Sequence, residues 1–243
     1  MNLNNAMLIR PILIGSMLVL FASCGNEGGT TEGSTAPTAG GNTTTSQPPP
    51  RTSDDWHSTD TLFAMMGGVN GKVVADLFVG DGYYTMKLLE AGAHVIAMDD
   101  DPRNIEAITA KKKEMNIGDD RLEIRTCTPG SPNLNIAEVD IALCTRPFIS
   151  IPDHTGYFTK VKASIKPPCQ LFIVDFLQEQ TPVGTPMDQR IPSEMVMDAM
   201  EPAGFTDIGA YGLKLPYRFV VQAMEFVEGP DGPVMPQGTV QVP

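Results

Sequence analysis

Short apolar runs, turns and amphipathic stretches follow one another in a repeated order through the middle of this chain. The runs at 72–78, 94–98, 122–126, 139–144 and 171–176 are nearly continuous, which is how strands covered on both faces read. Between them, 83–90, 102–115 and 153–165 carry their apolar residues on one side. In the last of these Tyr157, Phe158, Val161 and Ile165 share one helical face. Pro102 suits the first turn of a helix, where a missing N–H does no harm. Further helices are expected at 59–66, with Leu62, Phe63 and Met66 together, and at 194–200, capped by Ser193. Residues 206–214 and 217–226 alternate like an antiparallel pair. Five strands joined by helices and closed by a hairpin predict a doubly wound α/β sheet. Neither an internal repeat nor a second folded domain emerges.

The ends of the chain read differently. A lone Arg10 precedes an apolar run at 11–22 that is too short to span a bilayer and suits a secretion signal. The run closes on Phe21-Ala22-Ser23-Cys24, which resembles the bacterial lipobox, with Phe21 where Leu is usual. That resemblance implies a signal peptide at 1–23, acylation of Cys24 and a lipid-anchored protein of the cell envelope. An ordinary signal peptide is the plainer alternative. Residues 24–53 are Gly, Thr, Ser, Asn and Pro with few apolar side chains, a composition that reads as a tether. The folded domain is expected at 54–227, and the Pro/Gly-rich 228–243 as a disordered tail.

Charge narrows the partners. With 17 Lys+Arg against 29 Asp+Glu, the net charge is -12, so a nucleic-acid backbone is not an expected partner. Cys127, Cys144 and Cys169 lack metal-site spacing. In the expected sheet the first two lie about 14 Å apart, too far to bridge, so all three are expected as buried thiols. The histidines His57, His94 and His154 show no metal-ligand spacing either, and no metal is expected.

The chemistry gathers in one stretch, VVADLFVGDGYYT at Val73–Thr85, followed by HVIAMDDDP at His94–Pro102. A strand ending in Asp76 runs into a turn with Gly80 and Gly82, then a helix, then a second strand ending in Asp99. Glycine lets backbone approach a ligand without a Cβ in the way. An acid about 20 residues on, at the next strand tip, can accept hydrogen bonds from ribose hydroxyls.

From 56 to 226 the chain resembles the class I S-adenosylmethionine-dependent methyltransferases. Asp76-Leu77-Phe78-Val79-Gly80-Asp81-Gly82 resembles their first motif, and VIAMDDDP their second strand. VDIALC at 139–144 resembles their fourth strand, IKPPCQLFIVDF at 165–176 their fifth, and EPAGF at 201–205 their approach to the closing hairpin. The resemblance implies a seven-stranded Rossmann-like sheet in the order 3-2-1-4-5-7-6, its last strand antiparallel. It also implies S-adenosylmethionine as cofactor and a small-molecule methyl acceptor. The cofactor-binding positions it implies are Asp76, Phe78, Gly80, Gly82, Asp99, Asp100, Thr128 and Thr145. Phe78 stands in place of the first glycine of the motif, either under the loop or narrowing the pocket. Thr126-Cys127-Thr128 stands where the third strand usually ends in an adenine-binding acid. A dinucleotide oxidoreductase would require a third small residue where Thr85 stands. A non-catalytic binding module on the same fold is the alternative.

Methyl transfer needs few protein groups, since the sulfonium is already activated and alignment is most of the catalysis. Asp76 is either an anchor for the cofactor's ammonium or a strand-end acid serving the next helix. Arg146 could clamp an anionic acceptor or lie at the surface. His154 could be a general base or an exposed histidine. Arg190 could touch substrate or anchor its loop. These three are the catalytic candidates.

Overall fold

The computed structural model describes residues 52–225, and the backbone of 227–229 and 232–234. The expected signal peptide, Cys24 and nearly all of the expected tether lie outside the described residues. The expected tail overlaps a separate two-stranded ladder of 227–229 with 232–234.

Two short helices open the described part, α1 (Ser53–His57) and α2 (Thr59–Met65). They are followed by β1 (Val73–Leu77), α3 (Tyr83–Glu90), β2 (His94–Asp99), α4 (Pro102–Glu114), β3 (Leu122–Thr126) and β4 (Ile141–Cys144). Then come α5 (His154–Ser164), β5 (Gln170–Phe176), α6 (Ser193–Met200), β6 (Asp207–Leu215) and β7 (Arg218–Met224). The sheet has seven strands in the order β3-β2-β1-β4-β5-β7-β6. The first five strands are parallel, and β7 runs antiparallel to both β5 and β6. Sheet class, order and the antiparallel last strand match the expectation from sequence.

Alternation along β1 sends Ala75 and Leu77 into one apolar core, where α5 and α6 contribute Tyr157, Phe158, Val161, Val196 and Met200. Val74 points to the other core, beside Leu62, Phe63, Tyr84 and Leu88 from α2 and α3. Every side chain of β4 is buried, which accounts for its unbroken apolar run.

Local chemistry sets the helix ends. Asp101 caps α4 by accepting the Arg103 N–H at 2.9 Å, with Pro102 first in the helix. Asp153 caps α5 through the Gly156 N–H at 2.9 Å. Ser193 is not the cap expected of it. It is the first residue of α6, Pro192 stands at the cap, and the hydroxyl lies against the Glu194 carboxylate. The helix α1 was not expected, and it contains Trp56, the single tryptophan. Cys127, Cys144 and Cys169 are free and buried, and burial pushes the first two thiols up to about 12.

Candidate functional site

Parallel strands deliver their C-terminal ends to one edge of the sheet, and a crevice opens there between β1 and β4, where the order in which the strands are laid down reverses. It has a volume of about 400 Å³, within the range of small-molecule sites. One half is built by the turn after β1 (Phe78, Val79, Gly80 and Asp81), with Asp99 at the tip of β2 and Thr145 and Arg146 after β4. The other half brings in Trp56 and His57 of α1, Tyr84 of α3, Phe176 of β5 and Arg218 of β7.

In the first half Asp99 is the organising group. It is buried, with Oδ2 accepting the Gly80 N–H at 3.0 Å and Oδ1 the Asp101 N–H at 2.8 Å. The carboxylate thus ties the glycine turn to the tip of the neighbouring strand. Gly80 has φ +54, and a Cβ there would meet no heavy atom within 4 Å, so its surface faces open space. Gly82 is left-handed too and caps α3, but a Cβ there would stand 2.6 Å from Ile108 Cδ1. The two glycines have different reasons: the first leaves room at the crevice, the second lets α4 pack against α3.

Phe78, at the position of the missing glycine, has φ +62 and is 4% exposed. Its ring stacks on Tyr157 with centroids 5.4 Å apart, and the Arg146 guanidinium lies over it at 4.4 Å. The benzyl group is therefore mostly under the loop, with part of it reaching the crevice wall. Arg146 is held there by Asp100, at 2.8 Å. The two residues make a strap between the tips of β2 and β4.

Asp76 is completely buried and is not among the crevice-lining residues. One oxygen accepts the Thr85 hydroxyl at 2.6 Å, which fixes the first turn of α3, and Oδ1 has no partner. Burial pushes its carboxyl up to about 6, partly opposed by Thr85 and reinforced by Asp99 and Asp81. Thr128 lies in an exposed turn paired with Ser131 and does not line the crevice. His154 Nε2 meets the Phe148 carbonyl at 2.9 Å and its ring stacks on Phe148, and it does not line the crevice. Arg190 is 7% exposed and donates to the carbonyls of Leu177, Glu179, Val183 and Thr185. It anchors the loop after β5. Of the three catalytic candidates, only Arg146 lines the crevice.

The second half was largely missed in the sequence. Arg218 is 3% exposed. It donates to the Trp56 carbonyl at 2.8 Å, the His57 carbonyl at 2.6 Å and the Tyr84 hydroxyl. His57 is sandwiched between Trp56 and Tyr83, with ring centroids at 3.7 and 3.9 Å, and its Nδ1 meets the Ser53 carbonyl at 2.8 Å. Burial lowers its pKa to about 4, so the ring is neutral at pH 7. An arginine at the start of the apolar strand RFVVQAM was the one available signal. Nothing local linked it to residues 161 and 134 positions away. Among the described residues no cluster of His, Cys, Asp or Glu could hold a metal ion.

No protein-family profile matches the chain. A 46-residue stretch is 52% identical to ribosomal RNA small subunit methyltransferase H of Brucella anthropi, covering 19% of this chain and 13% of that protein. Among solved structures, a SAM-dependent methyltransferase from Aquifex aeolicus superposes with a TM-score of 0.61 at 21% identity, over 70% of this chain and 89% of that one. Phosphoethanolamine N-methyltransferase 2 of Haemonchus contortus, solved with S-adenosyl-L-methionine, gives 0.58 at 11% identity, over 70% and 52%. A 1,6-didemethyltoxoflavin-N1-methyltransferase of Burkholderia thailandensis, solved with 1,6-didemethyltoxoflavin and S-adenosylhomocysteine, gives 0.50 at 21% identity, over 71% and 78%. At these identities the likeness is one of architecture: the chain has the Rossmann-like fold of the class I methyltransferases.

Proposed function

We propose that the crevice holds S-adenosylmethionine in its glycine-turn half and a small-molecule acceptor in its aromatic half, and that the protein is a methyltransferase. The observation that carries this reading is the bond from the Gly80 amide to Asp99. It fixes a left-handed turn and a strand-tip carboxylate around one open space, and the neighbours solved with S-adenosyl-L-methionine or its demethylated product have the same fold. Asp99 has lone pairs left for ribose hydroxyls, and Gly80 leaves the space that a nucleoside needs. When bound, the donor supplies an activated methyl on a sulfonium. The protein's part is to align the acceptor and to exclude water.

A second reading, a binding module without catalysis, is favoured by the strap. Arg146 lies on Phe78 and is tied to Asp100 across the crevice floor. Calorimetry on the full chain with S-adenosylmethionine and S-adenosylhomocysteine separates the two. The enzyme reading expects micromolar binding that falls about 100-fold in Asp99→Ala, the loss of roughly two charge-assisted hydrogen bonds. No heat at millimolar donor would leave the binding module.

We further infer export and lipid attachment at Cys24, on the strength of Arg10, the apolar run at 11–22 and the Phe21-Ala22-Ser23-Cys24 ending. Lipid labelling that survives Cys24→Ser would refute the anchor.

A further inference from the structure

Among the described residues, the aromatic half of the crevice leaves the buried Arg218 Nε–H without an acceptor in the interior, and leaves one donor and one acceptor uncommitted on the two rings beside it. Arginine can only donate. Since Arg218 Nη1 bonds to the Tyr84 hydroxyl oxygen, that oxygen is the acceptor and its own hydrogen must go elsewhere. No described residue accepts it. A backbone carbonyl can only accept, so the contact between His57 Nδ1 and the Ser53 carbonyl places the ring hydrogen on Nδ1. That leaves Nε2 with a bare lone pair and no partner among the described residues. The two rings meet edge to face with centroids 5.1 Å apart, and both line the crevice beside Trp56 and Phe176.

A group that both donates and accepts through one atom, carried on a flat apolar body, satisfies this pair; a hydroxyl on an aromatic ring is such a group. A carboxylate would meet the His57 lone pair with its own, and an ammonium would face the buried Arg218. We propose that the acceptor is a phenolic or enolic hydroxyl that donates to His57 Nε2 and accepts from the Tyr84 hydroxyl. His57 is then a catalytic residue, Tyr84 a second, and Arg218 a positioning residue behind Tyr84. In the transfer step the acceptor oxygen bonds to the methyl carbon as the carbon–sulfur bond of the sulfonium donor breaks. The sulfur keeps that electron pair, and the hydroxyl proton passes to His57 Nε2 and on to water.

The transfer step rests on the methyltransferase reading, but the binding geometry does not, so the test has two arms on the full chain. In the first, without donor, 4-methylphenol is compared by calorimetry with 4-methylanisole, which lacks the hydrogen to donate. The hydroxyl compound should bind about ten-fold tighter, the worth of roughly one to two neutral hydrogen bonds. The preference should shrink in His57→Phe, which keeps the aromatic stack, and in Tyr84→Phe. Equal binding of the two compounds to the wild-type chain would overturn the proposal. In the second arm, with S-adenosylmethionine, His57→Phe should slow methylation of 4-methylphenol about 100-fold. In mildly alkaline buffer it should slow 4-nitrophenol, which is then largely ionised already, less than about ten-fold. Equal slowing of both would show a collapsed site instead of a lost proton acceptor, and would count against His57. Absence of donor binding would refute the methyltransferase reading while leaving the first arm to decide the hydroxyl site. Donor binding with methylation of an aniline probe but of neither phenol would refute the hydroxyl alone.

Discussion

The two halves of the crevice are built on opposite plans. In the glycine-turn half the organising contact joins residues 19 apart, Gly80 and Asp99, at the tips of adjacent parallel strands. In the aromatic half Arg218 reaches back 161 positions to His57 and 134 to Tyr84. One half is assembled by a single strand–turn–helix–strand unit. The other exists only after the closing hairpin has placed β7 beside β5, so it depends on the complete sheet. The first half should therefore tolerate damage at the chain's far end better than the second.

Removing Arg218 is the most severe way to break that contrast. Arg218→Met keeps the volume but leaves two carbonyls and a phenol without their donor. At about 1–3 kcal/mol for each buried group left unpaired, a loss of about 3–4 kcal/mol is expected, since some of these groups will find water. Urea unfolding measures the total. Trp56, the single tryptophan, should report locally: its fluorescence should shift toward that of exposed indole in the variant before global unfolding. Retention of the wild-type emission would show that α1 is held by something other than Arg218.

The same contrast explains what the sequence made legible. The β1–α3–β2 unit carries its pattern within 27 residues: an apolar run, Gly80 and Gly82, an amphipathic helix and Asp99. Each of these positions has a local physical reason. The doubly wound class of the sheet followed from the run of apolar segments, and its strand order from the resemblance to the class I methyltransferases. Residues with distant partners were not legible. Trp56 lay outside every expected element, His57 was one of three histidines without metal-ligand spacing, and Arg218 sat unmarked in the expected hairpin, because their roles reside in one another. Arg190 and His154 failed for the converse reason. Backbone carbonyls of their own loops take up their polar atoms, so that for Arg190 the loop-anchoring alternative holds and substrate contact does not.

Beside each half lies a buried group with a displaced pKa, Asp76 under the glycine turn and His57 in the aromatic half, and the two respond to pH with opposite signs. Asp76 has a folded pKa of about 6 against 3.8. Its folded form holds a proton that the unfolded chain releases, so stability falls as pH rises through that window. The full penalty above pH 6 is up to about 3 kcal/mol. His57 has a folded pKa of about 4 against 6.5, because burial and Arg218 oppose its charging while Asp81 and Asp54 favour it. The unfolded chain takes up a proton that the folded ring refuses, so stability falls as pH drops through that window. Allowing for solvent at the open edge of the ring, this contributes about 2 kcal/mol. The two should nearly cancel in the wild-type chain between pH 4 and 6. Asp76→Asn keeps an acceptor for Thr85 and removes the buried charge. It should be more stable than wild type at pH 7 by about 2 kcal/mol, and should expose a stability that rises with pH. His57→Phe should expose the fall. Urea midpoints at three pH values test this, and variant profiles parallel to the wild type would refute the pairing.

Phe78 offers the smallest difference to be measured, about 1 kcal/mol between two variants, and separates strain from packing within the glycine-turn half. Its φ of +62 costs an L-residue about 1–2 kcal/mol. Its ring, packed between Tyr157 and the Arg146 guanidinium, is worth about 3–5 kcal/mol by comparison with other buried phenylalanines cut to alanine. Packing is the larger quantity, so Phe78→Gly should destabilise by about 2 kcal/mol even though it restores the residue that a left-handed turn prefers. Phe78→Ala loses the same packing but keeps the strain, so it should be less stable than Phe78→Gly by about 1 kcal/mol. That ordering is the decisive measurement, because the two variants differ only in the backbone. If Ala equals Gly, the turn relaxes once the ring is gone, and the left-handed conformation is imposed by the ring's seat on Tyr157, with Asp99 and Gly80 too weak to hold it. If Gly is the more stable, the bond from Gly80 to Asp99 fixes the turn whatever stands at position 78, and the donor half of the crevice keeps its shape without the benzyl group.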